Sequence, residues 1–244
     1  MSEKKADYLD PSVSRDLHSL AEKVRELGDP VRALSLLQEV LVHDIRLDDH
    51  VGVAQAFWSM GMCYKHLFGS TKMVLFAKLC RQRAEDSLKE AREHNLEREL
   101  APALLLLGQA ALLLGDPEEA VRHFEEMLNH FDGVGRPEAE RGDYIYHLGE
   151  ALCRLGRVKE GVSMIHQGLS HIRQHRGEME AEPVGCFLAD VWESGGEMRL
   201  AQELQVSDPE DAKRHLARAK EIAMRNPDLH VRRDQLEKLE EKFR

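Results

Sequence analysis

The run from Leu104 to Leu114 is apolar except for Gly108 and Gln109, and Gly115-Asp116-Pro117 closes it. Beyond that tripeptide, Ala120, Phe124 and Leu128 recur every fourth residue, which sets them in one stripe along a helix. Gly ends a helix, Asp caps the next one, and Pro is tolerated at a first helical position, so the tripeptide predicts a hinge between two helices.

The same order of features returns along the chain. Residues 17–41 carry Leu20-Ala21, Val24, Gly28-Asp29-Pro30 and then Ala33, Leu37 and Leu41; residues 144–169 carry Leu148-Gly149, Leu152, Gly156 and then Gly161, Ile165 and Leu169. Residues 57–91 carry Met60-Gly61 and Tyr64, then Ala84, Leu88 and Ala91. A fifth copy has Leu188-Ala189, Trp192 and Gly195-Gly196, then Ala212, Leu216 and Ala219. With the small residue of each first helix as a ruler (Ala21, Gly61, Gly108, Gly149, Ala189), the steps are 40, 47, 41 and 40. Self-similarity at a fixed period is the mark of a repeat architecture. In the second and fifth copies the step from ruler to second-helix Ala is 23 residues, against 12 in the first and third, with breaks suggested at Gly69-Ser70 and Asp208-Pro209. The stretches 43–52, 132–143 and 174–183 read as connections between copies. After Asn226-Pro227, Leu229, Leu236, Leu239 and Phe243 share a face opposite charged residues, as an end-capping helix requires.

A helix with a Leu-Gly pair, a Gly-Asp turn, and a helix with Ala and an aromatic four residues later together resemble the tetratricopeptide repeat, here in a variant of about 40 residues. The resemblance spans residues 14–226, divided about 14–50, 51–97, 98–140, 141–181 and 182–226, between an N-terminal stretch of residues 1–13 and a capping helix at 227–244. It implies an all-α, right-handed superhelical solenoid of antiparallel helix pairs, with the first helices lining a concave groove. It also implies a non-catalytic module that binds a peptide or partner protein there. The groove candidates flank the small residues: Arg15, His18, Glu22 and Arg25; Gln55, Trp58, Met62 and Lys65; Leu105, Gln109 and Leu112; Tyr146, Glu150, Cys153 and Arg154; and Asp190 and Glu193. Bases dominate the first of these groups, apolar residues the middle and acids the last. A ligand with an apolar centre and opposite charge bias at its ends is expected, held by Trp58, Met62, Leu105, Leu112 and Tyr146. The carboxylate clamp of some family members needs Lys and Asn where this chain has His18, Glu22, Trp58 and Met62, so a chaperone-tail adaptor is disfavoured. The long repeat is similar to those of kinesin light chains and bacterial peptide-sensing regulators. A sensing regulator without its own DNA-binding domain is therefore the alternative, since about 14 residues precede the first repeat.

Composition agrees with helices. Leu occurs 34 times, against 22 for Val, Ile and Thr together, and sheets draw on β-branched residues. With 34 Lys and Arg against 44 Asp and Glu, the net charge of −10 argues against nucleic acid as a partner. Cys63, Cys80, Cys153 and Cys186 lie far apart, as expected of reduced thiols in a cytoplasmic protein. The polar N-terminus shows no secretory signal, and the apolar run of residues 100–115 is too short to span a bilayer, so no membrane association is expected.

Enzyme signatures such as His-Glu-x-x-His, Gly-x-Ser-x-Gly and phosphate-cradling glycine loops are absent. An unrecognised helical enzyme is the lesser alternative. His171 and His175 share a helix face with His166 one turn earlier, but beside Arg173 and Arg176 they read as helix-end residues, so no metal and no cofactor are expected. Cys153 and His147 are too far apart for a nucleophile and its base. The basic segment 78–83 reads as a solvated helix face. Homo-oligomerisation stays open.

Overall fold

The computed structural model describes residues 10–132, 134–179 and 185–243. Among these residues every regular element is helical, and no helix is long and apolar enough to cross a membrane. The chain divides into two units, Met1–Leu114 and Gly115–Arg244. The first holds α1 (Pro11–Glu26), α2 (Pro30–Leu47), α3 (His50–Thr71), α4 (Val74–Glu93) and α5 (Glu97–Leu114). The second holds α6 (Pro117–Asn129), α7 (Glu138–Arg154), α8 (Val158–Met179), α9 (Gly185–Leu204), α10 (Pro209–Arg225) and α11 (His230–Glu240), which ends in a 3-10 turn, Glu241–Phe243.

Helix starts follow one local rule. Asp10, Asp29, Asp116 and Asp208 each precede a proline, and their side chains accept from the backbone N–H of Ser12, Arg32, Glu119 and Asp211. The carboxylate satisfies a donor that the first turn leaves unpaired, and proline has no N–H to leave unpaired. Gly28, Gly115 and Gly156 lie just past helix ends at φ of +90°, +84° and +89°, a backbone that side chains with a Cβ resist.

The connections are shorter than the sequence suggests. Residues 43–52 are mostly helical: only Asp48 and Asp49 separate α2 from α3, because Asp48 turns left-handed at φ 57° and Asp49 caps α3 through the Gly52 N–H. Helix α8 continues through residues 174–179, while 180–183 lie outside the described residues. Residues 138–143 belong to α7.

The breaks also differ. Gly69 and Ser70 stay helical, and the turn falls at Lys72-Met73, where Lys72 takes φ 59°. Helix α3 runs ten residues past Gly61 and α4 starts ten before Ala84, so that pair shares its added length between both helices. The fifth copy puts it into one: α9 runs 15 residues past Ala189, and α10 starts three before Ala212.

In the first unit, Ala21 and Val24 of α1 meet Ala33 and Leu37 of α2 and Met60 and Cys63 of α3. In the second, α7 and α8 approach until their backbones touch. A Cβ on Gly149 would lie 2.6 Å from the Gly161 carbonyl oxygen, and one on Gly142 would lie 2.5 Å from that of Gly168. Only glycine permits that approach at two points seven residues apart on each helix. Helix α11 sets Leu236 and Leu239 on a cluster with Met198, Ala201, Leu216, Ala219 and Ala223, against which Phe243 also packs. Its Asp234, Glu237 and Lys238 stay exposed.

Candidate functional site

In the first unit the candidate side chains form a row across α1, α3 and α5. The His18 Nε2 is 2.9 Å from the Ser59 hydroxyl. The Arg25 guanidinium sits 5.9 Å from the Trp58 ring centroid, within cation–π range. The Gln55 amide donates to Glu99 at 3.1 Å, and Lys65 Nζ donates to the Gln109 side-chain oxygen at 2.7 Å. Arg15 is exposed; His18, Glu22, Gln55, Trp58, Met62, Lys65 and Leu112 are half-buried. Arg25, Leu105 and Gln109 are buried.

Electrostatics hold this row in defined states. Burial opposes the charge on Arg25, but Glu22 and Glu26, each 2.8 Å away, outweigh it and hold the guanidinium charged. Burial pushes His18 down, so its imidazole is neutral. The indole Nε1–H of Trp58 is screened from solvent and has no hydrogen-bond partner, so it meets a ligand acceptor only if the ring turns.

The second unit treats its candidates differently. Tyr146 is only 2% exposed, packed with Ile165, Leu169 and Leu200 beneath the Arg199 guanidinium, 5.2 Å from its ring. Arg199 also donates to Glu150 at 2.5 Å. Burial alone would raise the Glu150 carboxyl, but Arg199 and His147 reverse the effect and hold it well below the usual carboxylate range. Burial holds His147 neutral. Arg154 is exposed, 3.9 Å from Glu203. Cys153 is buried, and its thiol faces the Val158 carbonyl at 3.7 Å.

Asp190 is buried too. It accepts from Arg176 at 2.6 Å, Arg225 at 2.7 Å and Asn226 at 3.1 Å. Burial raises its carboxyl, yet these bonds outweigh burial and leave it lowered. Glu193 meets Arg173 at 2.8 Å and Arg176 at 3.3 Å. Glu197 is fully buried and meets Arg173, His215 at 2.5 Å and Arg218 at 3.4 Å. The expectation of an open, acidic wall at this end is corrected: Asp190, Glu193 and Glu197 fall at i, i+3 and i+7 on α9, a stripe that arginines of α8 and α10 cover and neutralise. Tyr146, Cys153 and Leu105 are likewise corrected from open wall to packing, since none is more than 8% exposed.

Sequence reading missed Arg173, Arg176, Glu197, Arg199 and Arg225. The acidic triplet on α9 and the Arg pair three apart on α8 were the available signal. His171 and His175 each face their own carboxylate, Glu138 at 3.1 Å and Glu178 at 2.6 Å.

Residues 101–126, covering most of α5 and most of α6, match the tetratricopeptide repeat family. No curated protein matches the chain. Among solved structures, the chain is similar to PlcR of Bacillus thuringiensis in complex with the peptide PapR7 and DNA, at 10% identity and TM-score 0.63, covering 95% of this chain and 76% of that one. It is similar to BtubC (BKLC) of P. vanneervenii at 22% identity and TM-score 0.62, covering 87% and 80%. A putative kinesin light chain of Podosopora anserina with TPR-like repeats gives 17% identity and TM-score 0.56, covering 88% and 96%. One segment of the chain, residues 101–126, thus matches the tetratricopeptide repeat, and the chain as a whole shares the helical fold of these structures.

Proposed function

We propose that the protein is a non-catalytic recognition module whose first unit binds a peptide segment of a partner protein along the row of α1, α3 and α5. The observation that carries this is the half-buried set on α3, Gln55, Trp58, Met62 and Lys65, flanked by Arg15 and Arg25 on α1 and by Gln109 and Leu112 on α5. Trp58 and Met62 supply an apolar seat that adapts to shape, and the polar residues at its edges fix direction. A peptide lying in the PlcR structure of the same fold type supports a peptide as the ligand. A binding role also fits the thiols: burial raises Cys63, Cys80 and Cys153 to about 12, far from a nucleophile's working range.

The test is a displayed random-peptide library panned on the full chain, with selected peptides titrated by fluorescence. Trp58→Ala combined with Met62→Ala is expected to weaken their binding at least about tenfold, as removal of a central anchor does. Selected peptides that bind the double variant as tightly as the parent would remove the row from consideration.

A further inference from the structure

We infer that His50, Glu90 and His94 form a binding site for a zinc-class divalent ion at the open end of the α3/α4 hairpin. Helix α3 begins at His50, the hairpin turns at Lys72-Met73, and α4 returns to end at Glu93. The antiparallel run thereby brings the first residue of α3 beside the last turn of α4. Glu90 and His94 are four residues apart and present their side chains on one face.

The three side chains converge. His50 Nδ1 is 2.6 Å from the Glu90 carboxylate and His94 Nε2 is 3.5 Å from the same oxygen. The two imidazoles stack with centroids 3.3 Å apart and planes 12° from parallel. One ligand atom from each residue falls within 4.8 Å of the others. Tetrahedral zinc with bonds near 2.0–2.1 Å sets its ligands roughly 3.4 Å apart, so the stacked rings must splay, with rotation of both histidine side chains, to aim their nitrogens at one ion. Two imidazoles and one carboxylate are the donor types of a three-ligand zinc site that leaves a fourth position for water. The second nitrogen of His50 lies 3.3 Å from the carboxylate of the exposed Asp48, close enough to serve as the outer partner of a ligating imidazole.

An ion there would clasp the open end of the hairpin, opposite its turn. Sequence spacing did not disclose the set because His50 lies 40 residues before Glu90.

The site is tested by titrating zinc chloride into the metal-free full chain by calorimetry, with thermal melting alongside. One zinc per chain and a melting temperature raised by roughly 5–10 °C at a hundredfold excess over Kd are expected. His50→Ala with His94→Ala is expected to abolish both effects. Asp48→Asn is expected to weaken binding about tenfold, and His171→Ala with His175→Ala to leave it unchanged. In the parent protein, cobalt(II) should give tetrahedral visible absorption, and zinc should shift the ring ¹⁵N resonances of His50 and His94, a readout that needs no variant to fold. Absence of saturable one-to-one binding, its persistence in the His50/His94 variant, or its loss in the His171/His175 variant would overturn the assignment.

Discussion

Helices α3 and α9 begin from the same plan and end in opposite states. Met62 follows the small residue Gly61 by one position and Lys65 by four; Asp190 and Glu193 follow Ala189 by the same steps. On α3 these positions are half-buried, and Lys65 donates to Gln109. On α9 they are buried under arginines from α8 and α10. The register along a first helix therefore does not decide what it presents. The charges on the neighbouring helices do, because a buried carboxylate survives only with partners arranged around it.

The contrast breaks most sharply at Glu197. Glu197→Ala leaves Arg173 and His215 without their shared carboxylate, and removal of one member of a buried ion cluster costs about 3–5 kcal/mol. A fall in melting temperature of roughly 8 °C or more should follow, while Lys65→Ala on α3 should change stability by less than about 1 kcal/mol. Equal losses for the two would erase the distinction.

Glycine substitutions sharpen the same contrast at the next scale. Gly149→Ala drives a methyl into the Gly161 backbone and should destabilise by about 1–3 kcal/mol. Gly69→Ala, on the exposed last turns of α3 with nothing within 4 Å of its Cβ position, should stabilise by about 0.5–1 kcal/mol. Urea unfolding of the two variants measures both signs.

Acid should weaken the second unit in two stages. His147 is lowered by burial, so folding disfavours its protonation, and stability drops as pH falls below the ordinary histidine range near 6.5. Glu150 and Asp190 are net lowered by their arginines, so their contribution is present above the ordinary carboxylate values and fades as pH falls through about 4.5 and below. Urea midpoints at pH 7, 5.5 and 4 should decline, and Glu150→Gln should flatten the second stage.

The smallest effect concerns the thiols. Cys186 is exposed and the other three are buried, so a disulfide reagent should modify one thiol per native chain quickly and the rest only after unfolding.

Much of the fold was legible because its signals are local. Asp-Pro marks four helix starts, glycines past helix ends mark turns, and the four-residue stripe marks second helices. The longer copies were harder to parse: Gly69 and Ser70 read as a break, yet α3 carries them and turns only at Lys72, a residue with no turn signature. The α1, α3 and α5 candidates followed from the resemblance to a repeat whose first helices line a groove, and spacing did not show that Leu105 among them is buried. The fate of Tyr146 and Asp190 was not legible, since their burial depends on Arg199, Arg176 and Arg225, supplied by elements up to 53 residues away. The His50, Glu90 and His94 cluster escaped for the same reason.

The paired glycines of α7 and α8 have a consequence for motion. Helices separated by side chains can loosen one rotamer at a time, but two backbones in contact at both ends of a seven-residue span have no intermediate spacing to occupy. Any opening there separates the helices along the whole span, so their amides should exchange with solvent together, as a single protected block.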